Sequence, residues 1–160
     1  MRFGFNSDAK RGMRSEHGGI TVEFAIIFPV LMLLVFGVID FGHAWYMRHL
    51  MSDASREGAR YGTRYKTGNA NSRILPRNLS PTVTDYLLHT WGLQNLLPAD
   101  ANPNVALGGA GATETNASIL AGEDFSVTIT AQKNWFVLGK IIPGFADTTT
   151  LSVTTTMTCE

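Results

Sequence analysis

The 160 residues carry 13 Lys and Arg and 13 Asp and Glu, so the formal net charge is zero. Net charge therefore gives no argument for nucleic acid or for any other particular partner. The only cysteine is Cys159, which excludes an intramolecular disulfide. A chain of this length holds one modest domain beside any anchor.

The charges are unevenly distributed along the chain. Residues 48–77 contain seven Lys or Arg and two acids, whereas residues 78–160 contain two Lys and seven acids. This dipolar layout favours head-to-tail contacts, and a solvated surface is the alternative interpretation.

An uncharged apolar segment follows a short basic N-terminal region. Residues 1–18 are polar with a net charge of +2, as expected of a flank that stays in the cytoplasm. Residues 24–39 carry no charge, and the largely apolar stretch continues to Met47 beyond Asp40, which gives the length a membrane-spanning helix needs. We expect Asp40 to mark the outer boundary of the hydrocarbon, with a basic group on another subunit as the alternative partner.

The helical pattern continues past the membrane. Apolar and small residues recur at three- and four-residue spacing, namely Met47, Leu50, Met51, Ala54 and Gly58. The sequence predicts one helix from about Thr21 to about Tyr65, interrupted or kinked near Pro29.

The middle of the chain is weakly patterned. Residues 67–80 are linker-like, and Ser80 followed by Pro81 predicts the start of a short second helix that stops near Gly92. Residues 98–118, rich in Ala, Gly and Asn, predict an irregular loop.

The last part changes to an alternating pattern. Residues 125–131 and 151–157 each alternate apolar with Ser or Thr, which predicts two half-buried strands. The apolar connection between them, 134–145, either covers the sheet as core or forms a contact surface for a membrane or a partner. The predicted fold class is α+β: a long N-terminal transmembrane helix continuing outside the membrane, a short second helix and a small C-terminal antiparallel β element.

Four regions follow from these patterns. They are a cytoplasmic leader (1–18), a transmembrane and extended helix (19–66), a linker with a short helix and an irregular loop (67–118), and a C-terminal β region (119–160).

Small residues precede the hydrophobic run, in HGGITVEFAIIFP, whereas a secretory signal has its small-residue cleavage site after that run. An acid at the entrance to a membrane helix, Glu23, is costly without a partner. The run GGITVEFAIIFPVLMLLVFGVIDFGHAWYMRHLMSDASREGARYG resembles the TadE-like minor pseudopilins of the tight-adherence (Flp pilus) system. It has their EFA start, early proline, FGVIDFG exit and SREGARYG helix end.

The resemblance implies cleavage by a prepilin peptidase between Gly18 and Gly19, which puts Glu23 at the fifth mature position, followed by Phe24. It implies that Glu23 pairs with the new amino terminus of a neighbouring pilin-like subunit. It also implies a role with inner-membrane assembly proteins in building Flp-type pili for adherence and biofilm formation. The expected location is the bacterial inner membrane, with the N-terminus cytoplasmic and the C-terminal region outside. Incorporation into a pilus stays open.

Little in the sequence points to other chemistry. The arginines at 56, 60 and 64 share one helix face, where lipid headgroups or an acidic neighbour are better candidate partners than nucleic acid. The histidines lack the spacing of a metal pair, and no nucleophile or phosphate-loop motif is present. We therefore expect no enzyme, cofactor, metal or small-molecule substrate. The alternative function is an uncleaved, membrane-anchored binding or sensor module of the cell envelope.

Overall fold

The computed structural model describes residues 13–68, 73–117 and 119–160, with side chains from residue 19 onward. Most of the predicted leader, residues 1–12, lies outside the described residues, as do residues 69–72 of the linker.

The long helix α1 runs from Met13 to Thr63. It begins earlier than predicted and ends two residues sooner, and Pro29 does not interrupt it. A proline removes only one backbone donor, and the hydrogen bonds on either side of Pro29 keep the helix in register. The predicted apolar stripe is confirmed, because Met47, Met51 and Ala54 are fully buried against the folded domain.

In the described part of the chain, four short helical elements lie between α1 and the first strand. A 3₁₀ turn spans Pro76–Asn78, and α2 (Val83–Asp85) continues as a π-helical turn over Tyr86–Thr90. The predicted cap at Ser80 is wrong: Thr82 caps this helix, since its Oγ1 accepts a hydrogen bond from the Asp85 N–H at 3.1 Å. Then α3 spans Leu93–Leu96.

The sheet is antiparallel and has three strands in the order β1-β2-β3. They are β1 (Asn104–Gly108), β2 (Asp124–Asn134) and β3 (Thr148–Thr158), with α4 (Ala110–Thr113) after β1 and α5 (Leu138–Ile141) between β2 and β3. The α+β class and both predicted strands are confirmed. The irregular loop predicted over 98–118 is wrong in part, because Val105 pairs with Ile129 and β1 joins the sheet.

The core lies between α1 and the inner face of β2. Phe125, Val127 and Ile129 are fully buried there, as the alternating pattern predicted. One hydrogen bond of 2.7 Å, between Ser55 Oγ and Thr155 Oγ1, joins α1 to β3. The second half of α1 is thus part of the domain, whereas its first half projects from it.

The lone thiol is buried against the same core. Cys159 is only 4% exposed, and its backbone N–H donates to the Glu123 carbonyl at 2.8 Å. Burial raises the pKa of the Cys159 thiol, because the apolar surroundings disfavour the thiolate.

We therefore expect Cys159 to react slowly with a disulfide reagent at pH 8 in the folded protein and quickly after unfolding in guanidinium. The rate in the folded protein should still be rising above pH 9, since a raised pKa moves thiolate formation to higher pH. Reaction of the folded protein at the rate of a free thiol peptide would show that the thiol is accessible.

Candidate functional site

The first half of α1 presents an apolar surface that nothing in the described chain covers. Large apolar side chains are exposed from Ile20 to Phe41, and the helix is long and apolar enough to cross a membrane. From Phe24 to Phe41 there are 18 residues, which at 1.5 Å per residue span about 27 Å. This is close to the thickness of a bilayer's hydrocarbon core, about 30 Å. The helix therefore fits a single-pass membrane anchor.

The predicted processing and assembly residues lie at the start of this surface. Gly18 and Gly19 are within α1, and Glu23 and Phe24 are exposed on it one turn later. The Phe24 ring lies 5.3 Å from the Phe28 ring, centroid to centroid. Glu23 thus lies within the first turns of the apolar surface.

At the other end of the apolar surface, Asp40 is fully buried and anchors the β2–β3 connection. Its Oδ1 accepts from the Phe136 N–H at 3.0 Å, and its Oδ2 accepts from the Val137 and Leu138 N–H groups at 3.1 and 3.3 Å. The Lys133 Nζ lies 3.6 Å from Oδ1. The alternative that Asp40 pairs with a basic group on another subunit is therefore wrong, because its partners are in its own chain. That Asp40 marks the outer boundary of the hydrocarbon stays a prediction.

Lys133 is as buried as Asp40. Its side chain is 1% exposed, and its ammonium donates to the Asn134 carbonyl and lies 4.8 Å from the centre of the Phe136 ring. A buried ion pair of this kind persists because several hydrogen bonds offset the desolvation of both charges. The pair fixes the height at which the β2–β3 connection meets α1.

The three arginines are exposed: Arg56 and Arg60 lie on α1, and Arg64 directly follows its last residue, Thr63. Arg60 pairs with Glu57 one turn before it, with Nε and Oε2 3.2 Å apart. Glu57 also accepts from the Tyr86 hydroxyl at 3.2 Å, and burial and this hydrogen bond raise the pKa of Tyr86. Arg56 and Arg64 flank Arg60 one turn away on each side.

The helix end relies on two glycines: Gly58, which belongs to the predicted stripe, and Gly62, which the sequence patterns did not single out. A Cβ on Gly58 would lie 2.5 Å from Leu87 Cδ1, and one on Gly62 would overlap the Phe125 ring, 2.7 Å from Cζ. Small residues at four-residue spacing are the signal that could have identified this close packing. The SREGARYG motif is therefore also the part of α1 against which the rest of the domain packs most closely.

We expect Gly62→Ala to lower the free energy of unfolding of the domain by about 1–3 kcal/mol, since the buried Phe125 ring has to move. Alanine also brings a gain in helix propensity of about 1 kcal/mol. The variant is destabilised because the packing cost, at the upper end of its range, exceeds this gain. Urea unfolding followed by near-ultraviolet circular dichroism measures the change. Gly42→Ala is the matched control, because a Cβ there meets nothing within 4 Å and only the gain in helix propensity, about 1 kcal/mol or less, remains. Equal stability of both variants would contradict the close packing.

No cluster of metal-ligating side chains occurs among the described residues. Among the described residues, Asp40, Ser55 and Lys133 have fully buried polar side chains, and each is hydrogen-bonded or ion-paired within the chain.

Residues 18–60, about a quarter of the chain, match the family model described as TadE-like protein. No curated protein and no solved structure matches the chain. The predicted resemblance to TadE-like proteins is confirmed over these residues, which run from the glycine pair to Arg60.

Proposed function

We propose, from its likeness to TadE-like proteins, that this chain is a minor pseudopilin of a Tad-type pilus system. In this proposal a prepilin peptidase cleaves it between Gly18 and Gly19. The processed protein then takes part in assembling Flp-type pili, which serve adherence and biofilm formation. Its role is structural.

The observation that carries the proposal is the uncovered apolar surface of α1 with one carboxylate at its start. A helix that only anchors a domain needs apolar residues and gains nothing from Glu23. Cleavage before Gly19 creates an amino group that is positively charged near neutral pH. In a bundle of such helices, the amino group of one subunit and Glu23 of the next neutralise each other, which offsets the cost of burying both.

The glycine pair suits the proposed cleavage. Each glycine is about 1 kcal/mol less favourable in a helix interior than alanine, so α1 unwinds more easily at Gly18 and Gly19 than elsewhere. Local unwinding gives a peptidase access to a bond that lies inside the helix. The Gly-Gly step thus supplies both the small side chains and the weak point.

The arginine face is the proposed contact for a partner. Arg56 is 15 residues beyond Phe41, which places it about 22 Å along the helix past the end of the apolar surface. Headgroup layers extend only about 5–8 Å beyond the hydrocarbon on each side, so lipid is out of reach. An acidic neighbour fits better, and residues 78–160 of another copy carry such an excess of acids.

The proposed location is the inner membrane. The leader would lie in the cytoplasm, α1 would cross the bilayer, and the folded domain would stand on the far side. Proposed partners are the prepilin peptidase, other pilin-like subunits and inner-membrane assembly proteins.

A helix exchange tests the proposal. Cells lacking this protein should lose surface pili, and the full chain should restore them. A chain in which residues 20–39 are replaced by an unrelated membrane-spanning helix of equal length should stay in the membrane and fail to restore pili. Full restoration by the exchanged chain would show that α1 is only an anchor.

A further inference from the structure

The β2–β3 connection, residues 135–145, carries an exposed apolar surface that the core does not use; we call this segment the hairpin tip. Phe136 is 63% exposed, and Ile141, Ile142 and Phe145 are also exposed. The sequence leaves two interpretations of this segment open, core or contact surface. The exposure of these four side chains favours the contact surface.

The hairpin tip lies at the level where the apolar surface of α1 ends. The Trp135 ring packs edge-on against the Phe41 ring at 5.5 Å between centroids, and a Cβ on Gly37 would lie 3.9 Å from Leu138 Cδ2. Since the hydrocarbon-spanning part of α1 ends near Phe41, these contacts place the hairpin tip at the outer membrane–water interface.

The neighbouring residues of α1 fit the same placement. Trp45 and Tyr46 are exposed four and five residues beyond Phe41, about 6–8 Å along the helix, and Arg48 follows. Aromatic and basic side chains at this height belong to the headgroup layer. The apolar surface of the hairpin tip is thus continuous with that of a membrane anchor.

Most backbone N–H groups of the hairpin tip are hydrogen-bonded within the domain, as a water-poor environment requires. Asp40 accepts three of its N–H groups, and the Trp135 N–H donates to the Asp147 carbonyl at 3.0 Å. The N–H groups of Ile141, Ile142 and Phe145 donate to carbonyls within the segment at 3.1 Å. Irregular backbone is tolerated near lipid only when its polar groups are satisfied in this way.

We infer that the hairpin tip inserts Phe136, Ile141, Ile142 and Phe145 into the outer-leaflet interface beside α1. The domain then contacts the bilayer at two places, through the membrane-spanning part of α1 and through the hairpin tip. Asp40 and Lys133 fix the position of the hairpin tip along α1, and their charges neutralise each other there. The inference rests on the proposed membrane-spanning placement of α1 and does not depend on pilus assembly.

Depth measurements on spin labels test the inference. The full chain, in a Cys159→Ser background, is reconstituted at high lipid-to-protein ratio into vesicles of phosphatidylethanolamine and phosphatidylglycerol. Single labels are placed by Phe136→Cys and Ile142→Cys in the hairpin tip. Leu34→Cys is the control inside the bilayer, and Thr154→Cys, on the exposed face of β3, is the control in water.

At the two tip sites we expect the ratio of oxygen to nickel-chelate collisions to be several-fold higher than at Thr154 and lower than at Leu34. If the tip labels match Thr154 while the Leu34 label lies in the bilayer, the hairpin tip does not insert, and the membrane-spanning placement of α1 still holds. A Leu34 label that reports water would overturn both. Shielding of the tip that appears only at low lipid-to-protein ratio would assign the surface to a second protein subunit instead of lipid.

Discussion

Asp40→Ala should lower the free energy of unfolding of the folded domain by about 3–5 kcal/mol. The change leaves the Lys133 ammonium buried without its counter-charge and removes the acceptor of three N–H groups at the hairpin tip. Unpaired buried groups are costly because water cannot replace the lost partner. Urea unfolding of the full chain in detergent, followed by near-ultraviolet circular dichroism, measures the loss.

Lys133→Met is the informative comparison. Asp40 then keeps its three backbone donors, which by themselves stabilise a carboxylate, and methionine fills most of the lysine volume. We expect a loss of about 1–2 kcal/mol, clearly smaller than that of Asp40→Ala. If Asp40→Ala proved the milder change, the carboxylate would not be the centre of this site.

Glu23→Ala should leave the processed protein at its normal level and abolish its contribution to pili. Within the proposal, the change leaves the amino terminus of a neighbouring subunit buried without a partner, at a cost of about 3–5 kcal/mol. Incorporation should then fall by about two orders of magnitude or more. Counting sheared surface pili beside an immunoblot of the processed chain separates assembly from cleavage.

Glu23→Gln is the matched control for shape. Glutamine keeps the size and the hydrogen-bonding oxygen of glutamate but not the charge, so it should fail to assemble nearly as completely. Normal pili from Glu23→Ala would refute the charge pairing. Normal pili from Glu23→Gln alone would assign the role to hydrogen bonding.

Elements with strong periodicity were predictable from the sequence. The apolar stripe of α1 and the alternation in β2 and β3 each state which face is buried, and the structure confirms them. The strand β1 was missed because only Val105 and Leu107 alternate there, between glycine- and asparagine-rich neighbours. Pairing with β2, a tertiary interaction, outweighs the weak local preference of this segment.

The Asp40–Lys133 pair was harder to predict because its partners are far apart in the sequence. A signal was nevertheless present: the inward positions of β2 run from Phe125 through Ala131 to Lys133 at strict two-residue spacing. That register places the lysine on the buried face, where it requires an acid. Which acid supplies the charge depends on how the hairpin folds back on α1, and no local pattern encodes it.

The intact mass of the protein recovered from its native membrane tests processing at Gly18–Gly19. If a prepilin peptidase cleaves there, the chain begins at Gly19 in wild-type cells and retains residues 1–18 in cells without the peptidase. A chain that retains residues 1–18 in wild-type cells would refute the proposed cleavage. It would make α1 an uncleaved anchor and the protein a membrane-tethered binding or sensor module.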